Sequence, residues 1–229
     1  MGVILRVWGE YACFTRPEMK IERVSYDVIT PSSARAIFES IHWKPAIRWV
    51  IDEIYVMKPI KFQTILRNEV SSSEQVISEQ RIKKSMKNPD QEFYIDTNKA
   101  RQQKNSMVLR DVEYIIKAHF ELTKFAGETD NEKKHYNIFL RRARNGECFY
   151  QPYLGCREFS CNFELLDDGI EIKAINDTKD LGWMLYDIDF KKNEESYRKV
   201  EKYNPVFFRA ELNEGKINIP KDLQRSVNK

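Results

Sequence analysis

Residues 107–122 read MVLRDVEYIIKAHFEL. The stretch alternates with a period of two. Val112, Tyr114, Ile116, Ala118, Phe120 and Leu122 share one face, and Glu113, Ile115, Lys117, His119 and Glu121 share the other. A strand covered on one side and wetted on the other produces this pattern. The expected cover is a helical layer on the apolar face, with the polar face left accessible.

Working upstream, residues 3–8 (VILRVW) read as a strand and residues 31–42 (PSSARAIFESIH) as a helix. Thr30 is placed to cap that helix, Pro31 suits its first position, and Ala34, Ile37, Phe38 and Ile41 form its buried stripe. Pro45 prevents continuation. Residues 46–57 (AIRWVIDEIYVM) are rich in β-branched and aromatic side chains and read as a strand ended by Pro59. Residues 69–106 change character and read as an insertion. Within it, 81–105 carry seven basic side chains against three acidic ones, mixed with Phe93 and Tyr94. That mixture suits a solvated loop, and it also suits a surface facing nucleic acid.

Working downstream, residues 130–146 read DNEKKHYNIFLRRARNG, a helix that Asp130 or Asn131 can cap and Gly146 can stop. Its expected apolar stripe is Tyr136, Phe139, Leu140 and Ala143. Residues 147–164 return as a strand. The order β, α, β, insertion, β, α, β is the split βαβ arrangement. The expected fold class is therefore α+β: a ferredoxin-like βαββαβ domain over residues 1–164. Short strand-like runs at 169–175, 183–190 and 205–212 then predict a small antiparallel β domain over 165–229.

The 229 residues are 41% hydrophobic and 32% charged, with a formal net charge of +3. This is ordinary for a water-soluble domain, and the charge is too mild to identify a polyanionic partner by itself. Cys13, Cys148, Cys156 and Cys161 show neither C-x-x-C spacing nor a histidine at zinc-finger distance, so they are expected as reduced buried thiols. The segment MGVILRVWGEYACF is interrupted by Arg6 and Glu10, unlike a signal peptide, and no run reaches the length of a membrane span. The expectation is a cytoplasmic protein with no membrane partner.

Three histidines are available for chemistry: His42, His119 and His135. His42 ends the first helix in SIHWKP, and His135 opens the second in EKKHY beside Lys133 and Lys134. Cations at a helix N-terminus cost about 0.3–1 kcal/mol each, because the backbone there is already positive. They become useful when a phosphate sits against them. In a ferredoxin-like fold the two helices lie side by side, so His42, Lys134 and His135 can surround one point. RNA is cleaved when its 2′-hydroxyl attacks the adjacent phosphate, which needs a base, an acid and charge stabilisation. Histidine titrates near neutrality and can fill either proton-transfer role, while a lysine ammonium stabilises the phosphate. Trp43, Trp49, Tyr150 and Tyr153 are candidates to stack on bases, and Lys117 and His119 lie on the open face of the strand. Asp187 and Asp189, in YDIDF, form a weaker metal candidate without a third ligand.

Four blocks read together resemble a known family: GEYACFTRPEMKIERVSYDVITPSSARAIFESIHWKPAIRW (9–49), NEKKHYNIFLRRARNGECFYQPYLGCREF (131–159), DLGWMLYDIDF (180–190) and FFRAELNEGKINIP (207–220). They resemble the subtype I-C (Dvulg) branch of the fifth Cas protein family, CRISPR-associated proteins of the RAMP superfamily. The resemblance implies a RAMP/RRM-like fold and an endoribonuclease that cuts CRISPR repeat RNA without a metal ion or other cofactor. It implies that the protein stays on the 5′ handle of the mature guide RNA (crRNA) and joins the type I-C surveillance complex beside its backbone and large subunits. Double-stranded DNA stays open as a further partner. The family's catalytic positions fall on His42, Lys134 and His135; some members carry tyrosine at the first. Trp43, Lys44, Lys117, His119, Lys133, Arg141 and Arg142 are the expected RNA-binding residues. The alternative is a subunit that holds crRNA and never cuts it.

Overall fold

The structure is a computed structural model that describes residues 2–19, 21–70, 78–88, 96–193 and 196–226. Phe93 and Tyr94 of the basic insertion lie outside the described residues. The described strands form one antiparallel sheet in the order β5-β1-β4-β2-β8-β7-β6, with β3 pairing off β4. Here β1 is Gly2–Ala12, β2 Ile47–Val56, β3 Phe62–Val70, β4 Arg101–Leu122, β5 Asn162–Leu166, β6 Lys179–Asn193, β7 Ser196–Asn213 and β8 Lys216–Ile217. The central run β5-β1-β4-β2 is the ferredoxin-like strand order, antiparallel at every step.

Two helices cover one face: α1, Pro31–Ile41, and a second over Glu132–Arg144. Between them in sequence lie Glu79–Lys87 and Thr97–Ala100, so the helices are numbered α1, α2 (79–87), α3 (97–100) and α4 (132–144), with α5 at Lys221–Ser226. Thr30 caps α1 as expected, accepting from the Ser33 amide at 3.3 Å. Ala34, Ile37, Phe38 and Ile41 are all buried. At the α1–α4 contact Phe38 stacks on Phe139 at 5.7 Å, and Trp49 of β2 lies 4.8 Å from Phe139 and 5.3 Å from Phe120 of β4. Burying one such ring contributes about 1.5–3 kcal/mol, so this cluster fixes the helices on the sheet. The alternation of β4 holds over its centre, where Val112, Tyr114, Ile116, Ala118 and Phe120 are buried; it departs at Leu122, which is exposed at the strand's end, and at Ile115, which is buried on the other face.

The structure corrects several expectations. Residues 147–160 form a loop, and the strand expected over 147–164 survives only as β5. The loop closes on itself through Leu154 N to Phe159 O and Cys161 N to Pro152 O. Gly155 has φ +82°, and a Cβ there would lie 2.1 Å from the Cys13 carbonyl oxygen, so the loop can press on β1 only with glycine at this point. The strand expected at 169–175 does not form. The backbone bond from Ile175 N to Val56 O ties that segment to β2, whose edge is already paired to β8. The insertion expected at 69–106 overlaps a hairpin arm, with β3 pairing against Arg101–Leu109. Side chains along β3 alternate only between exposed and half-buried, so no apolar stripe announced it. The division expected at residue 164 falls inside β5. The β6–β7 hairpin joins the same sheet through β8, and Asp187 of β6 receives two 2.9 Å hydrogen bonds from Arg35 of α1.

Candidate active site

α4 places His135 on the buried stripe one helical turn before Phe139. The observed stripe is His135, Phe139 and Ala143, while Tyr136 and Leu140 are only partly buried. His135 lies edge-on to Phe120, with ring centroids 6.3 Å apart. Asn131, not Asp130, caps the helix and accepts from the Lys134 amide at 2.8 Å. Gly146, at φ +67°, follows the last turn.

His42 arrives from the other helix as the residue that ends α1, its amide still bonded to Phe38 O at 3.0 Å. Its carbonyl accepts from the Trp49 indole at 2.8 Å. The neighbouring Ile41 carbonyl accepts from Arg142 of α4, also at 2.8 Å. These two bonds lock the C-terminus of α1 against β2 and α4. As a result His42 Nε2 and His135 Nδ1 are 3.0 Å apart, although 93 positions separate them in sequence.

Both imidazoles are 1% exposed. His135 Nε2 is 3.1 Å from Asp130 Oδ1. A carboxylate only accepts, so Nε2 carries a proton. Which of His135 Nδ1 and His42 Nε2 donates in their 3.0 Å contact depends on the tautomer, and among the described residues the buried His42 Nδ1 has no hydrogen-bond partner. Burial, together with the nearby His135, Arg142 and Lys44, pushes the His42 imidazole down to about 4, so it is neutral at pH 7. Lys134 is 43% exposed at the edge of the site, its ammonium 3.1 Å from the same Asp130 oxygen. The three expected catalytic residues thus meet at one place.

The expected RNA-binding residues divide into two groups. Trp43 (41% exposed), Lys44 and Lys133 are exposed beside the histidines in sequence. Arg141 is exposed and paired with Glu147 at 2.9 Å, while Arg142 is spent on the α1 carbonyl. Lys117 and His119 lie on the opposite sheet face, engaged with Glu53 at 2.9 Å and Asp52 at 2.8 Å. Trp49 is core rather than a stacking platform. Tyr150 is 46% exposed and Tyr153 half-buried. Asp187 is committed to Arg35, and among the described residues no group of three or more His, Cys, Asp or Glu could hold a metal. Cys13, Cys156 and Cys161 are buried free thiols, while Cys148 is partly exposed. Among the described residues no helix is long and apolar enough to cross a membrane.

Two residues at this site were not read as part of it from sequence. Asp130 was a cap candidate, and its i,i+4 spacing to Lys134 was the available signal. Phe149, 84% exposed, has its amide on Ser40 O at 2.8 Å, which hangs an aromatic ring beside the end of α1. No sequence pattern marked it.

Residues 2–220 match the sequence family described as CRISPR-associated protein (Cas_Cas5). A protein of Mannheimia succiniciproducens named CRISPR pre-crRNA endoribonuclease Cas5d is 49% identical over 222 residues, covering 94% of this chain and 93% of that protein. A protein of Thermus thermophilus with the same name is 37% identical, covering 97% of this chain and 93% of that one. A solved structure of a CRISPR-associated protein shares the fold at a TM-score of 0.65 and 22% identity, over 96% of this chain and 92% of the other.

Proposed function

The chain belongs to the Cas5 family of CRISPR-associated proteins, in its Cas5d branch, and from that premise we propose that it is an endoribonuclease acting on CRISPR repeat RNA. The observation that carries the reading is the meeting of His42 and His135 at 3.0 Å with Lys134 on the rim. This pair sits in a chain 49% identical to a protein named for that activity.

The proposed reaction is attack of the RNA 2′-hydroxyl on the adjacent phosphorus. One imidazole accepts the 2′ proton, and the other donates to the leaving 5′ oxygen or orients its partner. The Lys134 ammonium stabilises the charge that builds on the phosphate. The products are a 2′,3′-cyclic phosphate and a 5′-hydroxyl. No metal ion enters these steps. The protein then keeps the 5′ handle of the crRNA and joins the type I-C complex with its backbone and large subunits. Trp43, Lys44 and Lys133 line the approach. Double-stranded DNA is a further ligand to test by competition.

A second reading, a crRNA-holding subunit that does not cut, is favoured by one observation: both imidazoles are 1% exposed. One experiment separates the two readings. Labelled repeat RNA is incubated with the purified protein in EDTA, beside a Lys134→Ala variant. The nuclease reading expects cleavage by the wild type, products with cyclic phosphate ends, and a large loss in the variant. Intact RNA, still tightly bound to the wild type, establishes the holding role. Cleavage that EDTA abolishes overturns the metal-free mechanism.

A further inference from the structure

The chemistry just proposed needs an RNA phosphate within reach of buried imidazoles, and the Asp130 side chain stands at that point. Asp130 lies in the loop between β4 and α4. Its Oδ1 is 3.1 Å from Lys134 Nζ and 3.1 Å from His135 Nε2. An anionic oxygen bridging an ammonium and an imidazole N–H is the contact a non-bridging phosphate oxygen makes in such a site. The side chain is 22% exposed, whereas His135 behind it is 1% exposed. The carboxylate is therefore the more exposed of the two bonded groups.

We infer that the Asp130 carboxylate occupies the seat of the scissile phosphate, between Lys134 Nζ and His135 Nε2, and is exchanged for a phosphate oxygen when RNA binds. This inference rests on the nuclease reading for the identity of the phosphate. The two anions repel and share the same donors, so both do not stay. The local chain is built for the exchange. Asp130 Oδ2 accepts from the Gly127 amide at 3.1 Å, and the Asp130 amide donates to Gly127 O at 2.9 Å. The turn closes on itself over 127–130, and the carboxylate leaves the seat by a side-chain rotation at that turn. The Gly127 amide and the Lys134 ammonium hold the Asp130 carboxyl below its usual range, so it is charged at neutral pH and fills the seat as an anion. The groups facing His135 here are Asp130, Lys134 and His42, and those around His42 are Arg142 and Lys44.

The occupied seat also accounts for the sealed histidines. A lone imidazole pair exposed to water would offer its nitrogens to any anion. With Asp130 in place, an incoming phosphate displaces a tethered carboxylate before it meets His135. The first arrivals on the rim, Trp43, Lys44 and Lys133, supply the additional contacts that favour RNA over the carboxylate.

The test measures binding apart from cleavage. Repeat RNA with every 2′-hydroxyl methylated has no internal nucleophile, and its affinity is read by fluorescence anisotropy. Asp130→Asn and Asp130→Ala are expected to bind it at least fivefold more tightly than wild type. Glu132→Gln, which removes a charge from the same helical turn, is expected to change affinity less than twofold. In the Lys134→Ala background, the gain from Asp130→Ala is expected to fall below twofold. Unchanged or weaker binding by both Asp130 variants, with unchanged thermal melts, overturns the inference. So does an equal gain in Glu132→Gln, which assigns the effect to net charge. Tighter binding in the Asp130 variants, with no cleavage of unmodified RNA by wild type, keeps the phosphate seat and removes the nuclease reading instead.

Discussion

His119 and Phe120 are neighbours on β4, and they lead to opposite kinds of histidine site. On the helix-covered face, Phe120 supports His135, which meets His42 in a place that water does not reach. There burial lowers the His42 imidazole to about 4. On the other face, His119 is 34% exposed and bonded to Asp52 at 2.8 Å. The hydrogen bond to that carboxylate raises His119 above its ordinary value. One residue type thus has its proton balance set by environment alone: desolvation disfavours the cation on one face, and a carboxylate favours it on the other. The first face holds a neutral His42 imidazole in hydrogen-bond contact with His135. The second holds a charge lattice in which Glu53 takes both Lys117 and Lys216, a finished polar surface with its charges already matched.

The largest expected contrast is in stability. Phe139→Ala removes the ring beneath the histidine pair and is expected to cost about 3–5 kcal/mol in urea unfolding. Lys117→Ala on the opposite face breaks a partly exposed ion pair and is expected to cost about 1 kcal/mol or less. Comparable losses would erase the distinction between the two faces.

Acid sharpens the same contrast. His42 is lowered from an unfolded value of about 6.5 to about 4, so the unfolded chain takes up its proton first. Its contribution is complete above the unfolded value and is lost as pH falls through the folded one. Between pH 7 and pH 4 this amounts to roughly 3 kcal/mol. His119 has the reverse sign: its contribution is present below the unfolded value and is lost as pH rises through the raised folded one. Urea unfolding of wild type and His42→Gln at both pH values checks this, with the variant expected to lose clearly less stability at pH 4. Imidazole NMR titration is expected to show His119 protonating first and His42 far later as acid is added.

In cleavage, His135→Ala is expected to slow the reaction at least a hundredfold, about 2.7 kcal/mol, with RNA binding mostly kept. His119→Ala is expected to change the rate less than threefold. Equal losses from the two would place the chemistry on both faces or on neither. The smallest effect belongs to Asp52→Asn. It is expected to return the His119 titration midpoint toward about 6.5 while changing stability by about 1 kcal/mol or less.

Much of this contrast was written in local pattern. The period-two alternation of 112–120 assigned most of those β4 side chains to their face, because burial of one face is a local constraint repeated at every second residue. The α1 stripe and its Thr30 cap were legible for the same reason. The α4 stripe was read with Phe139 and Ala143 in place but without His135. Tyr136 and Leu140 are apolar enough to suggest it, but His135 takes the buried position because His42 and Asp130 satisfy both of its ring nitrogens. Without those partners a buried imidazole would be costly, and neither partnership follows from helical periodicity.

The sequence by itself determined the strand and helix types of the ferredoxin-like core, the two faces of β4, the family, and the three residues proposed for chemistry. Tertiary structure alone decided that the C-terminal hairpin joins the same sheet through the two residues of β8. It also decided that the buried His42 Nδ1 has no hydrogen-bond partner among the described residues, and that Asp130 bonds His135. The physical reason is separation along the chain. Periodicity reports what each residue does to its near neighbours, whereas a 3.0 Å contact across 93 positions exists only after both helices have packed on the sheet.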